Sequence, residues 1–196
     1  MTALRKATIA LTPKAAPFAI RAEKASDVLA REALLDACFG ANRQMRACQR
    51  LRDGRAPAEG LAFSAMADGC LVGTLRVWHV SAGGTRALML GPLAVDSTSR
   101  KLGVGAALMD HALAAADARG PRAVILLGDA PYYGRFGFAA QKTAGLSLPG
   151  PFERDRLLGL ELQEGALDGA VGMIVPTGAV AAKTGPIRKA PRARAA

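Results

Sequence analysis

An α+β fold built around one mixed sheet is what this 196-residue sequence predicts. Three observations carry the prediction. Three successive apolar runs are separated by short turns of hairpin chemistry, the signature of an antiparallel meander. Directly after the third run the hydrophobic period changes from that of a strand to that of a helix. A further apolar run follows that helix, so one strand–helix–strand crossover sits inside an otherwise antiparallel order.

The elements follow in chain order. Phe18 to Arg21 reads as a short opening strand. Ser26 or Asp27 is placed to cap a helix from about Asp27 to Phe39, in which Leu34 with Cys38 and Leu35 with Phe39 sit at i,i+4 spacing before Gly40. A second helix is expected from about Asn42 to Arg52, with Arg43, Arg46 and Arg50 on one face, closing at Asp53-Gly54. That face is ordinarily solvated, and anion contact is the alternative. The meander comprises Leu61 to Ala67, Cys70 to Val80 and Thr85 to Val95, separated by Asp68-Gly69 and by Ser81-Ala82-Gly83-Gly84. Gly91-Pro92 interrupts the third run, and because proline cannot donate to a sheet ladder, a bulge or an opened edge is expected there. Val104, Leu108 and Ala112 then recur every four residues in an Ala-rich helix that Arg119-Gly120-Pro121 stops. Ala123 to Leu127 is a buried strand, Pro131 to Arg135 a short helical turn, and Phe136-Gly137-Phe138 leads into another strand. Leu157 to Leu162 and Val171 to Val175 are late strands, the second following the turn Asp168-Gly169.

Composition bounds the function class. With 51% hydrophobic residues the chain fills one core, predicting a single domain over residues 18–176 between basic, disordered tails at 1–17 and 177–196. No apolar run reaches the roughly 18 to 20 residues of a membrane-spanning helix, so no membrane partner is expected. The net charge of +10 invites a nucleic-acid reading. Its location argues otherwise. Arg5, Lys6 and Lys14 near one end and Lys183, Arg188, Lys189, Arg192 and Arg194 near the other account for eight of the excess charges, leaving a near-neutral body. Cys38, Cys48 and Cys70 have neither CxxC spacing nor scaffold density, which favours a reducing, cytoplasmic setting. With His79 and His111 the only histidines, no metal is expected.

The stretch Arg100-Lys101-Leu102-Gly103-Val104-Gly105-Ala106 lies between a strand and a helix. Unpaired backbone N–H groups and the helix dipole favour an anion at such a place, and Gly103 and Gly105 remove side chains that would hold a phosphate away. The same residues also describe a plain tight turn. A P-loop is unsupported, because no Lys-Ser or Lys-Thr follows the second glycine, and the dinucleotide fingerprint would need its third glycine where Leu108 stands.

A second motif, Tyr133-Gly134-Arg135-Phe136-Gly137-Phe138, follows the next strand by one short turn. Together the two motifs resemble the GNAT acyltransferases. The family's phosphate loop, Arg or Gln, two residues, Gly, one residue, Gly or Ala, is matched by Arg100, Gly103 and Gly105; its later signature, Tyr, three residues, Gly-Phe, is matched by Tyr133, Gly137 and Phe138. In element order the resemblance covers about Phe18 to Leu162.

The resemblance implies a mostly antiparallel central sheet with helices on both faces and a splayed cleft for acyl-CoA. It implies acetyl-CoA as acyl donor, with its pantetheine arm paired to the backbone of Leu93, Ala94 and Val95 and its pyrophosphate held by the loop from Arg100 through Lys101, Leu102, Gly103, Val104 and Gly105 to Ala106. Tyr133 is implied as the group that protonates the departing CoA thiolate, while Tyr132 beside it is read as core. The implied reaction is direct attack by a primary amine, of a small molecule or a protein, in a ternary complex; a homodimer is compatible with the family.

One departure stands out. Many members carry a Glu on the fourth strand as general base, but Ala87 to Val95 holds no ionisable group. Asp96 is read as a turn residue, His79 as a structural residue within reach of the cleft, and His111 as solvated. The base is therefore unassigned. A lysine-like amine of pKa about 10.4 is neutral about once in 2,500 molecules at pH 7, whereas an α-amine near 7.7 is neutral about once in six, so a low-pKa amine is the easier acceptor. Two other function classes fit the same residues: a module that senses acyl-CoA without turnover, and a nucleic-acid-associated protein using its tails.

Overall fold

The computed structural model describes residues 17–181. The charged stretches of the two predicted tails therefore lie outside the described residues. Residues 177 to 181 lie inside them and belong to the body: the Thr177 N–H donates to the His79 carbonyl, Ala56 to Ala179, and Ala181 to Gly54.

The opening strand is β1 (Ala19–Ala22). Helix α1 (Val28–Phe39) follows a single 3-10 turn and ends at Gly40, whose φ of 77° no branched residue would adopt easily. The meander forms as β2 (Ala62–Ala67), β3 (Cys70–Ala82) and β4 (Thr85–Val95). Its first turn has positive φ at both Asp68 and Gly69, and its second at both Gly83 and Gly84, the twist that two-residue hairpins favour. Helix α2 (Val104–Asp117) crosses over to β5 (Ala123–Leu127), which pairs parallel to β4. The short helix α3 (Ala130–Tyr133) begins with a proline in its first turn. The remaining strands are β6 (Leu146–Ser147), β7 (Leu157–Glu161), β8 (Gly172–Met173) and β9 (Val175–Pro176). The main sheet runs β1-β2-β3-β4-β5-β7, with β9 added alongside β3, and within it, among the described residues, only the β4–β5 pair is parallel; β6 and β8 form a separate parallel pair. The α+β, mostly antiparallel expectation is met.

Three segments depart from the sequence reading. The second helix is not one helix: Ala41–Met45 and Ala47–Leu51 are separate 3-10 stretches broken at Arg46, whose backbone is extended. Ala47 and Leu51, in the second stretch, are buried in the core. No strand follows Phe138; Ala139 makes one bridge to Gly159 before a 3-10 turn over Gln141–Thr143. The run Val171 to Val175 splits, β8 pairing with β6 and β9 with β3.

Both faces of the sheet are covered. On one, α2 lays Val104, Leu108, Met109, Ala112 and Ala116 against Phe63, Leu75, Val77, Leu88 and Leu90. On the other, Trp78, Met89, Ile125 and Leu157 pack beneath Ala47, Leu51, Leu148 and Leu167, and α1 sets Leu34 and Leu35 beside Ala94. Along β4 the alternation is informative. Ala87 and Met89 face one side and Leu88 and Leu90 the other, yet Leu93 and Val95 join the α2 side. Residues 90 and 93 differ by three and share a face, so one extra residue is present between them. The register agrees: Leu75 pairs with Leu93 and Val77 with Leu90, leaving Arg76 opposite both Gly91 and Pro92. This is the expected bulge, and the Trp78 indole N–H donates to the Gly91 carbonyl at 2.6 Å, satisfying an acceptor that the broken ladder leaves over.

Candidate active site

The bulge positions the site. β5 pairs with β4 only from Ala87 to Met89, through Ala123 to Ile125. Beyond Met89 the two strands part, and the β5-facing edge of β4 from Leu90 to Val95 has no strand partner. The opening is a groove with two lobes. An inner lobe of about 620 Å³ lies between Met89 to Leu93 on one wall and Leu126 to Asp129 on the other. An outer lobe of about 530 Å³ lies between Leu93 to Val95 and the start of α2. Phe39, Leu93, Arg100, Tyr132 and Tyr133 border both lobes and mark where they join.

The outer lobe has the chemistry of an anion cradle. Gly103 adopts a left-handed conformation that starts α2, and no side chain caps the helix. Among the described residues, no acceptor takes the N–H groups of Gly103, Val104, Gly105 or Ala106. Those four donors at a helix N-terminus border the lobe, together with Arg100, Lys101 and Arg135. A Cβ placed on Gly105 would lie 2.9 Å from the Tyr132 hydroxyl oxygen and 3.5 Å from a Val95 methyl, so any side chain there fills the cradle. The residues present thus fit a pyrophosphate.

Of the ten positions expected to contact the donor, Leu93, Ala94, Val95, Arg100, Lys101, Gly103, Val104, Gly105 and Ala106 border the outer lobe. Leu102 does not; it is 51% exposed. Leu93 to Val95 pair with Leu75 to Gly73 on one side only.

Tyr133 stands at the junction of the lobes. Its ring packs on the core beneath α2, lies edge-on to Tyr132 at 4.9 Å, and covers Gly128, where a Cβ would come within 2.2 Å of the ring. Its hydroxyl has no hydrogen-bond partner among the described residues. Burial pushes the phenol up to about 12, reinforced by Tyr132 and Asp129 and opposed by Arg156. Tyr132 is not the core residue expected: it is half-buried, borders both lobes and sets its hydroxyl over the first turn of α2, while the Arg135 guanidinium lies 4.6 Å from its ring centroid.

The remaining candidates sort clearly. Asp96 is the turn residue expected, accepting from the Thr98 N–H at 2.9 Å. His79 is exposed on β3 and borders neither lobe, which removes it as a base. His111 is exposed and lies edge-on to Phe63. Arg43 is not simply solvated: it pairs with Glu32 and Asp36 and, with Arg46, borders the inner lobe. Arg50 is exposed.

Sequence reasoning missed Gln49, Arg52, Asp129 and Arg156, all of which border the inner lobe. Among the described residues, Asp129 is the one carboxylate in either lobe. Its place just after an apolar strand was visible in the sequence; nothing local marked Arg52 or Arg156. Among the described residues no group of three or more His, Cys, Asp or Glu side chains could hold a metal ion, and no helix is long and apolar enough to cross a membrane.

Comparison with known proteins gives the same direction. The family model described as Acetyltransferase (GNAT) family matches residues 29–138. A GNAT family N-acetyltransferase, YhbS from Escherichia coli, solved in complex with CoA, is 28% identical over 85% of this chain and 93% of its own, with a TM-score of 0.71. A GNAT family acetyltransferase from Brucella melitensis, solved in complex with acetyl-CoA, is 26% identical over 84% of this chain and 95% of its own, with a TM-score of 0.57. No curated protein matches the chain.

Proposed function

The chain belongs to the GNAT acetyltransferase family and is an acyl-CoA-dependent acyltransferase; from that premise we propose that it transfers an acetyl group to a primary amine by direct attack in a ternary complex. The observation that supports this reading is the junction itself, where an anion cradle, an unpaired strand edge and a buried phenol meet around one groove. Bound acetyl-CoA supplies the acyl group as a thioester.

The chain's own residues divide the remaining work. The N–H groups of Gly103 to Ala106 hold the pyrophosphate, with Arg100 and Lys101 adding positive charge. The free edge of Leu93 to Val95 orients the pantetheine arm, placing the thioester at the lobe junction. Tyr133 donates a hydrogen bond toward the sulfur as negative charge develops there. The amine enters through the inner lobe, whose apolar walls Met89, Leu90, Leu126 and Leu127 exclude water. Asp129 is the carboxylate positioned to take the ammonium proton, directly or through water. The acceptor class is a small-molecule or protein amine, and the setting is cytoplasmic, in keeping with three cysteines that are all free thiols.

Incubation of the full chain with acetyl-CoA and a panel of primary amines, following free thiol, tests the proposal. Amine-dependent thiol release is expected. Tight acetyl-CoA binding without release for any amine would replace this reading with that of an acyl-CoA sensor.

A further inference from the structure

Transfer to a simple amine requires no cation at the acceptor end, and a cation there repels the ammonium that must arrive. Yet among the described residues the inner lobe is bordered by several arginines against the single carboxylate of Asp129. Two of these cations are already answered. Arg43 pairs with Glu32 at 2.5 Å and Asp36 at 2.7 Å, and Arg156 lies 3.6 Å from Glu153.

Arg52 is different. It closes the broken 3-10 segment, is half-buried, and its Nε donates to the Cys48 carbonyl at 3.1 Å. Neither terminal nitrogen has an acceptor among the described residues, and no carboxylate lies within ion-pair distance. Burial pulls its pKa below the ordinary value; Cys48 and the more distant Asp53 oppose that shift, and Arg43 and Arg46 add to it. Arg46 stands beside it at the mouth, exposed, 5.1 Å over the Phe39 ring and held there by a long 3.4 Å bond from one terminal nitrogen to the Phe39 carbonyl, with no carboxylate paired to it among the described residues. A desolvated guanidinium with its two terminal nitrogens uncommitted matches the planar, two-oxygen edge of a carboxylate or phosphate. Across the lobe, Asp129 occupies the residue before α3, where an aspartate ordinarily caps the helix, but its side chain makes no capping bond. Both signs of charge are thus displayed across one apolar groove.

We propose that the acceptor is a small primary amine that itself carries an anionic group, carboxylate or phosphate, held by Arg52 and Arg46 while the ammonium enters beside Asp129. The inference rests on the acyl-transfer reading above. The anion on the acceptor offsets the repulsion between the arginines and the incoming ammonium, and it fixes which end of the molecule points at the thioester.

Matched amines test it with the intact enzyme: 4-aminobutyrate against butylamine, and O-phosphoethanolamine against ethanolamine. The anionic member of at least one pair is expected to have the higher kcat/KM by about 10-fold or more, and which pair shows it identifies carboxylate or phosphate. Arg52→Met is expected to raise KM for that amine by about 10- to 100-fold, the range for losing a hydrogen bond to a charged group, with Arg52→Lys recovering part. Arg46→Gln, at an exposed position, is expected to raise KM less and keeps the test available if Arg52→Met folds poorly. Equal kcat/KM within both pairs, with thiol release intact, overturns the anion site alone. Weakened acetyl-CoA binding in Arg52→Met with unchanged amine KM overturns it too, assigning the arginine to the donor. If no amine releases thiol, transfer fails as a reading, and the anion site then stands only if calorimetry on the CoA complex detects the anionic amine and Arg52→Met abolishes that binding.

Discussion

Tyr133→Phe separates a chemical role from a packing role, because the structure assigns the hydroxyl nothing to do for the fold. The oxygen has no hydrogen-bond partner among the described residues, while the ring packs on the core and covers Gly128. Phenylalanine keeps the ring and removes only the oxygen. With ordinary values, a phenol near 10 protonating a thiolate whose acid is near 8.5 runs uphill by about 2 kcal/mol. Here the phenol is pushed up to about 12 by burial, so complete transfer would cost roughly 5 kcal/mol. That penalty favours a hydrogen bond to developing charge over transfer of the proton. A bond to a charged group contributes about 1.5 to 3 kcal/mol, or a factor of about 10 to 150 in rate. Tyr133→Phe is therefore expected to lower kcat by roughly 10²-fold with unchanged acetyl-CoA affinity by calorimetry and an unchanged Tm. A near-wild-type kcat refutes the role. So does a fall in Tm with a parallel loss in Tyr132→Phe, which would mark both rings as packing. An alkaline limb in kcat at pH 8 to 9 that vanished in Tyr133→Phe would refute the raised pKa.

Three further perturbations test the frame around that residue. Gly105→Asp places a side chain 2.9 Å from the Tyr132 hydroxyl and a negative charge in the cradle; calorimetry is expected to find acetyl-CoA binding lost while thermal unfolding stays cooperative, and retained affinity would reject the loop assignment. Gly128→Ala drives a methyl to within 2.2 Å of the Tyr133 ring, so the ring must move; kcat is expected to fall at least about 10-fold with acetyl-CoA affinity kept, and an unchanged kcat would mean the ring's position is immaterial. Asp27 is held well below the usual carboxylate range by its pair with Arg21, with further bonds from the Lys24 N–H and the Ser64 hydroxyl. A depressed folded-state pKa stabilises the fold above the unfolded value near 3.9 and loses that contribution as pH falls below it. Denaturation midpoints are expected to drop below about pH 4, and Asp27→Asn, which lowers stability at neutral pH by removing the charge that Arg21 answers, should flatten that slope; an unflattened slope would move the acid sensitivity elsewhere.

Much of this architecture was legible in the sequence because it is set by local chemistry. Asp68-Gly69 and Gly83-Gly84 take up the positive φ values that a tight hairpin needs, so the meander could be read from turn residues alone. Val104, Leu108 and Ala112 fix one buried face of α2, and the two glycines before and within its first turn leave open donors that any anion would find. Pro92 cannot join a ladder, and the bulge appeared where its missing N–H required one.

What only the tertiary structure decided is what distant segments do to one another. The helix read from Asn42 to Arg52 is broken at Arg46, whose backbone is extended, and no glycine or proline within that stretch marks the break in the sequence. The strand expected after Phe138 reduced to one bridge, to Gly159, because the chain turns at Gln141–Thr143 and the Thr143 hydroxyl donates to the Leu157 carbonyl where a further ladder bond would lie. Tyr132, indistinguishable from its neighbour as a letter, came out of the core because α3 turns its hydroxyl toward Gly105. The inner lobe brings Arg52, Asp129 and Arg156 to one groove from three parts of the chain. Spacing carries a periodic signal only within an element, whereas the acceptor side is made where β4 and β5 separate, and which side chains border that gap follows from how the sheet is covered on both faces.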